Sequence, residues 1–337
     1  MKVLVTGGAG YIGSHTSIVL LEKGHEVVIL DNLSNSKKIA IERIEEISGK
    51  KVKFYCEDVC DKEKLESIFQ AENIDAVIHF AAFKAVGESV EKPLEYYQNN
   101  LFSTLNLLEV MQKNDVTNFV FSSSATVYGD PASVPIREDF PLSTTNPYGT
   151  TKLFIERILT DYAYARPEFN PIILRYFNPI GAHKSGLIGE DPNGIPNNLV
   201  PYISQVAIGK LKELSVFGND YSTIDGTGVR DYIHVVDLAE GHVAALQLFE
   251  KGNCGLKVYN LGSGEGHSVL EILNAFSEAS GKTIPYTIKG KRPGDIAECY
   301  ADPSKAYQEL GWKVKRTLKD MCEDTWRWQE KNPNGLE

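Results

Sequence analysis

Tyr148 and Lys152 stand four residues apart, and their side chains could carry out proton transfer. On a helix, positions i and i+4 lie on one face, so the phenol and the ammonium would be neighbours. A nearby positive charge favours the phenolate, and we expect Lys152 to lower the Tyr148 pKa from its usual value of about 10. The pair therefore predicts a general base that removes a proton from a sugar or alcohol hydroxyl near neutral pH.

Two further motifs separate this pair from a chance spacing on a helix surface. A serine run, 122–124, follows an apolar segment shortly before the tyrosine. Near the N-terminus, Gly7, Gly10 and Gly13 form a glycine-rich turn between an apolar strand and a helical pattern. Glycines let the backbone turn tightly and approach a pyrophosphate, whose charge then meets a helix N-terminus. An ordinary glycine-rich turn is the alternative, but Asp31 beyond the turn supplies the context of a dinucleotide site.

Polar residues near the ends of the next predicted strands favour NAD over NADP. Asp31 could accept a hydrogen bond from a ribose 2′-hydroxyl and would repel a 2′-phosphate. Lys37 and Lys38 are separated from it by a polar loop. Asp58 could accept from the adenine amino group or could cap the next helix. Lys84 could reach a phosphate or could remain a solvated lysine.

Strand-like and helix-like segments alternate through the first half of the chain, which predicts an α/β fold with a Rossmann-type, doubly wound parallel sheet. The predicted strands are 2–6, 26–31, 52–57, 75–80, 118–122, 171–177 and 257–261, and the predicted helices are 14–23, 61–71, 93–113, 148–165, 268–280, 304–310 and 318–331. Segments 181–201 and 217–230 are rich in Gly, Pro, Asn and Asp and predict long loops. We expect residues 1–178, with a returning segment near 232–262, to form the NAD-binding domain. Residues 179–231 and 263–337 would form a smaller C-terminal substrate-binding lobe.

The composition disfavours several other classes of protein. The 337 residues carry a net charge of -10 without a Lys/Arg-rich block, which argues against nucleic-acid binding. No apolar run approaches the roughly 20 residues of a membrane helix, and the N-terminal residues do not have the pattern of a signal peptide. The five cysteines include no Cys-x-x-Cys, so we expect a reducing cytoplasm and neither disulfides nor a metal site.

These motifs together resemble a known superfamily. Residues 7–13, Asp31, Ser124, Tyr148 and Lys152 are similar to the extended short-chain dehydrogenase/reductases. Longer segments resemble one family within it, the UDP-galactose 4-epimerases, and these segments are 79–89, 122–129, 174–179 and 225–234. The resemblance extends to the final helix around residues 326–328 and so covers essentially the whole chain.

The resemblance implies epimerisation at C4 of UDP-galactose and UDP-glucose, through a 4-keto sugar and with tightly held NAD. Tyr148 would take the proton from the sugar O4, and Ser124 would donate to O4 or relay its proton. Lys152 would lower the Tyr148 pKa and orient the nicotinamide ribose. Hydride would pass from C4 to NAD and return to the other face of the sugar. A homodimer is implied as well.

Carried over position by position, the resemblance also implies two binding sites. The NAD site would comprise Gly7, Gly10, Tyr11, Ile12, Gly13, Asp31, Asn32, Asn35, Ser36, Asp58, Val59, Phe80, Ala81, Ala82, Lys84, Asn99 and Phe177. The UDP-sugar site would comprise Ser124, Tyr148, Asn178, Asn198, Leu199, Phe217, Arg230, Arg292, Asp295 and Cys299. Phe217 would lie by the uracil, and Asn178 and Asn198 would help to hold the diphosphate. A guanidinium suits phosphate oxygens, although Arg230 or Arg292 alone could equally form a surface ion pair.

Cys299 falls in a segment that closes over the sugar in resembling enzymes, some of which carry tyrosine there. A cysteine leaves room for an N-acetyl group at C2 of the sugar. This predicts that UDP-N-acetylglucosamine and UDP-N-acetylgalactosamine are also substrates. Two alternatives remain: Cys299 could be a small buried residue with no role, or a shift of one residue could place Tyr300 at this position.

Other functions fit the residues less well. A nucleotide-sugar 4,6-dehydratase resembles this chain but has Thr-Asp-Glu where Ser124, Ala125 and Thr126 stand. Alanine and threonine cannot serve as the acid and base that such an elimination needs. Decarboxylation of UDP-glucuronate is a second alternative. A non-catalytic NAD sensor is a third, but a sensor has no need of the intact Ser124, Tyr148 and Lys152.

Overall fold

The computed structural model describes residues 1–292 and 295–337. Its strands are β1 (Lys2–Thr6), β2 (Glu26–Leu30), β3 (Lys53–Tyr55), β4 (Ala76–His79), β5 (Asn118–Ser124), β6 (Asn170–Tyr176), β7 (Asn178–Ile180), β8 (Leu214–Phe217), β9 (Val229–His234), β10 (Lys257–Leu261), β11 (Gly266–Ser268), β12 (Tyr286–Lys289) and β13 (Glu298–Cys299). Its helices are α1 (Tyr11–Glu22), α2 (Ile39–Ser48), α3 (Lys62–Ala71), α4 (Val86–Glu91), α5 (Pro93–Lys113), α6 (Pro147–Ala165), α7 (Leu199–Ala207), α8 (Val235–Glu250), α9 (Val269–Ser280), α10 (Ser304–Leu310) and α11 (Leu318–Lys331).

The main sheet contains all of the predicted strands. Its seven strands run parallel in the order β3-β2-β1-β4-β5-β6-β10. Successive residues of a strand point to opposite faces, so Val3 and Val5 enter one core while Leu4 enters the other. The predicted α/β fold with a doubly wound parallel sheet is therefore confirmed. In such a sheet the strand order reverses between β1 and β4, and ligands bind at the carboxyl ends beside this crevice.

A second, smaller unit packs its own core of residues from α7, α9, α11 and short strands. Strand β9 pairs with β7, β11 and β13, and β8 pairs with β12. This arrangement is compatible with the lobe expected over 179–231 and 263–337, and the division into domains at those residues stays a prediction.

Several elements escaped the sequence prediction. Helix α8 has most of its residues buried, so its sequence shows no polar face that would mark it as amphipathic. The loop predictions were wrong at their edges. Leu199 begins α7 within the loop expected over 181–201, and the loop expected over 217–230 begins in β8 and ends in β9. These strands are short and pair with distant segments, and such pairing is not visible in local sequence.

No helix among the described residues is long and apolar enough to span a membrane. Within the same described ranges, no group of three or more His, Cys, Asp or Glu side chains is placed to hold a metal ion.

Candidate active site

The glycine-rich turn lies in the crevice between β1 and β4. Gly7 has a positive φ of 68°, which favours glycine, and its amide donates to the Leu30 carbonyl over 2.8 Å. A Cβ on Gly13 would lie 2.3 Å from the Gly7 oxygen, so any side chain there would collide with the turn. Gly10 precedes the first residue of α1. The turn therefore places the N-terminus of α1 at the crevice and leaves backbone amides free to meet an anion, as a pyrophosphate requires.

Asp31 follows β2 and is fixed against this turn. Its Oδ2 accepts from the Ala9 amide over 3.0 Å, while its Oδ1 accepts from the Leu33 amide over 2.9 Å and the Ser36 hydroxyl over 2.8 Å. These three bonds fix the orientation of the carboxylate, and Asp31 is 8% exposed. Its position beside the turn suits a ribose hydroxyl and not a 2′-phosphate.

Asp58 and Asn32 meet at the end of the next strand. The Asn32 amide donates to Asp58 Oδ2 over 2.8 Å, and Asp58 Oδ1 accepts from the Cys60 amide over 2.7 Å. Asp61, and not Asp58, caps α3, because Asp61 accepts from the Lys64 amide. The capping alternative for Asp58 is therefore wrong, while its predicted contact with adenine stays a prediction.

The end of β4 forms the other wall of the crevice. A Cβ on Gly7 would lie 2.8 Å from the Ala81 amide, so the turn and β4 are in close contact. Lys84 extends from the following loop, pairs with Glu190 over 3.3 Å and is half exposed, so its predicted contact with a phosphate stays a prediction. Nearby, the Asn99 side chain donates to Asn100 over 2.9 Å.

The remaining residues predicted for the NAD site lie around the same crevice. Tyr11 and Ile12 begin α1, and the Tyr11 hydroxyl donates to the Gly181 carbonyl over 2.7 Å. Val59 is buried next to Asp58, and Phe177 is buried after β6. The Asn35 side chain lies in the loop after β2 and accepts from Asn193 over 3.1 Å. Phe80 and Ala82 flank Ala81 after β4.

The predicted catalytic residues meet where β5 ends and α6 begins. The Asn146 side chain caps α6 by accepting from the Gly149 amide over 2.8 Å, and Pro147 occupies the first turn. This start places Tyr148 in the first turn and Lys152 one turn further on the same face. Ser124 ends β5, and its hydroxyl accepts from the Thr126 amide over 3.2 Å.

Lys152 is buried beneath the tyrosine. Its ammonium donates to the Ser122 carbonyl over 2.7 Å and lies 5.9 Å from the centre of the Tyr148 ring. It also lies 4.9 Å from the centre of the Phe121 ring. The ammonium is therefore held by a backbone carbonyl close to the tyrosine ring.

Burial dominates the acidity of this pair. It raises the pKa of Tyr148 to about 12, and a hydrogen bond with Ser124 acts in the opposite direction. Burial also lowers the pKa of Lys152 to about 7, and the charge of Glu156 acts in the opposite direction. The expectation that Lys152 brings the Tyr148 pKa below its usual value is wrong, because burial of the phenol outweighs the other influences on it. A further positive charge brought next to Tyr148 would favour its phenolate.

A buried ion pair behind these residues was missed in the sequence. The Arg175 guanidinium contacts the Glu156 carboxylate over 2.6 Å, and the Ser123 hydroxyl donates to Glu156 over 2.5 Å. Arg175 also donates to the Tyr128 hydroxyl over 2.9 Å. Glu156 is four residues after Lys152 on the face that enters the site, and this spacing was the available signal.

Several predicted UDP-sugar residues form connected groups in the smaller unit. Arg230 forms an ion pair with Asp295. Cys299 is the β-sheet partner of Arg230 and packs against a buried cluster that contains Val127 and Phe177. These contacts place Cys299 beside the end of β5. Tyr300 is directed elsewhere, since a Cβ on Gly266 would lie 3.1 Å from its ring.

The other predicted substrate residues lie on neighbouring elements. The Arg292 guanidinium lies 3.9 Å from the centre of the Phe217 ring, at the end of β8. Asn198 precedes α7, which begins at Leu199, and its side chain donates to Glu190 over 3.1 Å. Glu190 therefore contacts both Lys84 and Asn198 and was missed in the sequence. Asn178 begins β7 and is exposed.

The fold and the site together define an extended short-chain dehydrogenase/reductase. The family model for GDP-mannose 4,6 dehydratase matches residues 4–325. UDP-glucose 4-epimerase of Bacillus subtilis is 62% identical over 335 residues, which are 99% of this chain and 98% of that protein. The crystal structure of UDP-glucose 4-epimerase from Bifidobacterium longum in complex with NAD+ and UDP is 59% identical and has a TM-score of 0.96. That comparison covers 99% of this chain and 100% of the other.

A second solved structure gives the same family. UDP-glucose 4-epimerase from Stenotrophomonas maltophila, with bound NAD and formylated UDP-arabinopyranose, is 50% identical with a TM-score of 0.97 over 99% of each chain. This chain belongs to the UDP-glucose 4-epimerase family, within the broader family that the 4,6 dehydratase model describes. The resemblance inferred from the sequence motifs is confirmed.

Proposed function

We propose that this chain interconverts UDP-galactose and UDP-glucose at C4 of the sugar and that it uses bound NAD. The observation that carries this proposal is the placement of Ser124, Tyr148 and Lys152 beside a dinucleotide turn, in a chain that belongs to the UDP-glucose 4-epimerase family. NAD, when bound, supplies the hydride chemistry at C4 and is restored in each cycle. The protein supplies binding, orientation and proton transfer.

The proton transfer is assigned to Tyr148. Its phenolate oxygen takes the proton from the sugar O4, and the resulting hydroxyl later returns it, while Ser124 donates to O4 or relays its proton. Lys152 lies 5.9 Å from the centre of the Tyr148 ring and favours the phenolate when it is protonated; burial lowers the Lys152 pKa to about 7, and the charge of Glu156 opposes this effect. The 4-keto sugar would turn about its diphosphate linkage between the two hydride transfers.

Binding of the two nucleotides is assigned to separate residues. The glycine turn, Asp31 and Asp58 would hold the pyrophosphate, ribose and adenine of NAD. Arg230 and Arg292 would meet the UDP diphosphate, in keeping with the suitability of a guanidinium for phosphate oxygens. Arg230 would have to exchange its ion pair with Asp295 for this contact, or share it.

The same site would also accept the N-acetylated UDP-sugars. Cys299 is a small side chain that packs against the cluster containing Phe177, where a tyrosine would take up considerably more volume. A 4,6-dehydratase is the less favoured alternative, because Ala125 and Thr126 provide no acid–base pair. The observation in its favour is the family model for GDP-mannose 4,6 dehydratase, which matches residues 4–325.

The chain would act as a homodimer through an exposed apolar surface on α5 and α6. Leu94, Phe102 and Leu105 lie on one face of α5, and Phe154 is exposed on α6. Exposed apolar patches often mark protein–protein contacts.

A cytoplasmic location is proposed because every cysteine of the chain is free, as is typical of proteins in a reducing compartment.

The direct test is an activity assay on the purified protein. UDP-galactose is added, and formation of UDP-glucose is followed by chromatography of the sugar nucleotides. A second reaction uses UDP-N-acetylgalactosamine. Conversion of the first substrate is expected, and a protein that holds NAD but converts neither substrate would favour the sensor alternative.

A further inference from the structure

We infer that Lys37, Asp191, Gly335 and Leu336 form a clasp that closes the loop 31–38 over the adenosine part of the NAD site. This inference rests on the proposed NAD binding. The loop carries Asp31, Asn32, Asn35 and Ser36, which are predicted to line the cofactor, and it connects β2 to α2. Lys37 and Asp191 would be positioning residues, because they act on NAD through the loop.

Lys37 is the centre of the clasp. Its ammonium pairs with Asp191 Oδ2 over 2.9 Å and donates to the Leu336 carbonyl over 3.0 Å. Asp191 Oδ2 also accepts from the Leu336 amide over 2.9 Å. Three segments that are far apart in the sequence therefore meet at one ammonium and one carboxylate.

Gly335 and Leu336, the C-terminal residues of the clasp, pack closely against Asp191 and the core. Gly335 has a positive φ of 86°, and a Cβ there would lie 2.1 Å from Asp191 Oδ1. Leu336 is 7% exposed and belongs to the core cluster that Leu33 and Ile39 also pack against. Burial of its side chain stabilises the closed arrangement by the hydrophobic effect.

Neighbouring contacts hold the same three segments. The Asn193 side chain donates to Asn35 over 3.1 Å, which ties the loop to the segment of Asp191 a second time. The Asn332 side chain donates to the Gly186 carbonyl over 2.9 Å and fixes the end of α11. The adjacent Glu190 pairs with Lys84 on the opposite side of the cofactor crevice.

The clasp has two consequences for the cofactor. Opening the loop 31–38 would break the bonds of Lys37 and expose Leu336, so release of NAD is slowed. Lys37 also forms an ion pair with Asp191, so its positive charge is not available to neutralise the 2′-phosphate of NADP. Slow release suits an enzyme that restores its cofactor in each cycle.

The test measures how fast bound NAD leaves the full-length protein. Wild type, Lys37→Met and Leu336→Ala are purified with NAD, freed of excess nucleotide, and incubated; NAD remaining with the protein is then quantified by chromatography after denaturation. We expect NAD to leave both variants about tenfold faster than wild type, a factor that corresponds to about 1.4 kcal/mol. Lys37→Arg, which keeps the charge and a donor, should restore most of the retention.

Two matched lysines serve as controls. Lys38→Met changes the adjacent, exposed residue, and Lys331→Met removes a contact from α11 to the Ser185 carbonyl that lies outside the clasp. Both should lose NAD at the wild-type rate. Equal loss from the controls and from Lys37→Met, or wild-type retention by Lys37→Met, would overturn the clasp.

Hydrogen exchange separates this inference from the proposed function. The amides of residues 32–38 should exchange faster in Leu336→Ala than in wild type, whether or not nucleotide is bound. If denatured wild type releases no nicotinamide nucleotide, the proposed function fails, and the exchange rates still decide whether the clasp exists. Unchanged exchange in Leu336→Ala would reject it.

Discussion

The Lys152 ammonium donates to the Ser122 carbonyl over 2.7 Å and lies 5.9 Å from the centre of the Tyr148 ring. This geometry differs from a direct contact between ammonium and phenol. The lysine can still influence the tyrosine through its charge, since both groups are buried and water does not screen them fully. The strength of this influence depends on the protonation of Lys152, whose pKa is lowered by burial to about 7.

Replacement of Tyr148 by phenylalanine should remove most of the epimerase activity and leave NAD bound. The ring keeps its packing, but the hydroxyl that exchanges a proton with O4 is lost, and such groups contribute about 10²–10⁴-fold to a rate. The measurement is turnover of UDP-galactose together with the NAD content of the protein. Turnover close to that of wild type would reject Tyr148 as the base.

Lys152→Met should weaken both the epimerase activity and the reduction of bound NAD by substrate, yet stabilise the fold at neutral and lower pH. The Lys152 pKa is about 7 in the folded chain and near its usual 10.5 when unfolded. Below the folded value the charged side chain is buried at full cost, and this cost disappears as the pH rises towards 10.5. Methionine removes the cost at every pH.

Thermal unfolding of wild type and Lys152→Met at matched NAD content tests whether the substitution raises or lowers the stability of the fold. The variant should melt at a higher temperature at pH 6, and the difference should shrink at pH 9. A variant that is less stable than wild type at pH 6 would mean that the lysine contributes more through its bond to Ser122 than its burial costs. Full activity in the variant would reject its assigned role in catalysis.

The sequence predicted the main sheet well because its strands are continuous apolar runs and its motifs follow strand ends. All residues of β4 and β6 are buried, and such strands are visible without knowledge of their neighbours. The start of α6 was predicted within one residue, and the structure shows a typical helix N-terminus there, with Asn146 as the cap and Pro147 in the first turn.

The sequence could not predict contacts that depend on distant segments. Glu190 lies in a loop rich in Gly, Pro and Asn, and nothing local marks it as the partner of Lys84 and Asn198. The clasp between Lys37 and Leu336 joins residues that are 299 positions apart. The pKa of Tyr148 was predicted in the wrong direction for the same reason, because spacing along a helix gives proximity but not burial.

Asp31→Asn should relax the discrimination against NADP. The substitution removes the negative charge beside the ribose and keeps the shape of the side chain, so repulsion of a 2′-phosphate falls. The ratio of NADP to NAD affinity is measured by competition on protein from which nucleotide has been removed. Ser36→Ala is the matched control, since it breaks a bond to Asp31 in the same loop without changing the charge. An equal change of the affinity ratio in both variants would mean that an altered loop conformation, and not the lost charge of Asp31, causes the effect.

Phe102→Glu should convert a dimer into monomers. Phe102 is 55% exposed on the apolar face of α5, and a carboxylate there would be costly to bury in an interface. Light scattering measures the mass of each species in solution. Ile224→Glu is the control, because Ile224 is 84% exposed but lies in the loop between β8 and β9, away from α5. A wild-type mass equal to one chain would reject the proposed dimer.

Cys299→Tyr should suppress conversion of the N-acetylated UDP-sugars and spare that of UDP-galactose. Cys299 pairs with Arg230 in the sheet and packs against the cluster that contains Phe177, so a tyrosine ring would need additional space beside this cluster. Overpacking typically costs about 1–3 kcal/mol, and only the larger substrate would incur it. We therefore expect kcat/KM for the acetylated pair to fall about tenfold or more, at nearly unchanged values for the other pair.

The control for this variant is Cys299→Ser, which keeps the small volume and removes the thiol. It should convert both substrate pairs like wild type, because room beside the sugar and not the sulfur chemistry sets the specificity. Initial rates are measured on UDP-galactose and UDP-N-acetylgalactosamine with each protein. Equal losses on the two substrates in Cys299→Tyr would indicate general disruption of the segment between β13 and α10. An absence of N-acetyl activity in wild type would show that volume at Cys299 alone does not admit the larger sugar.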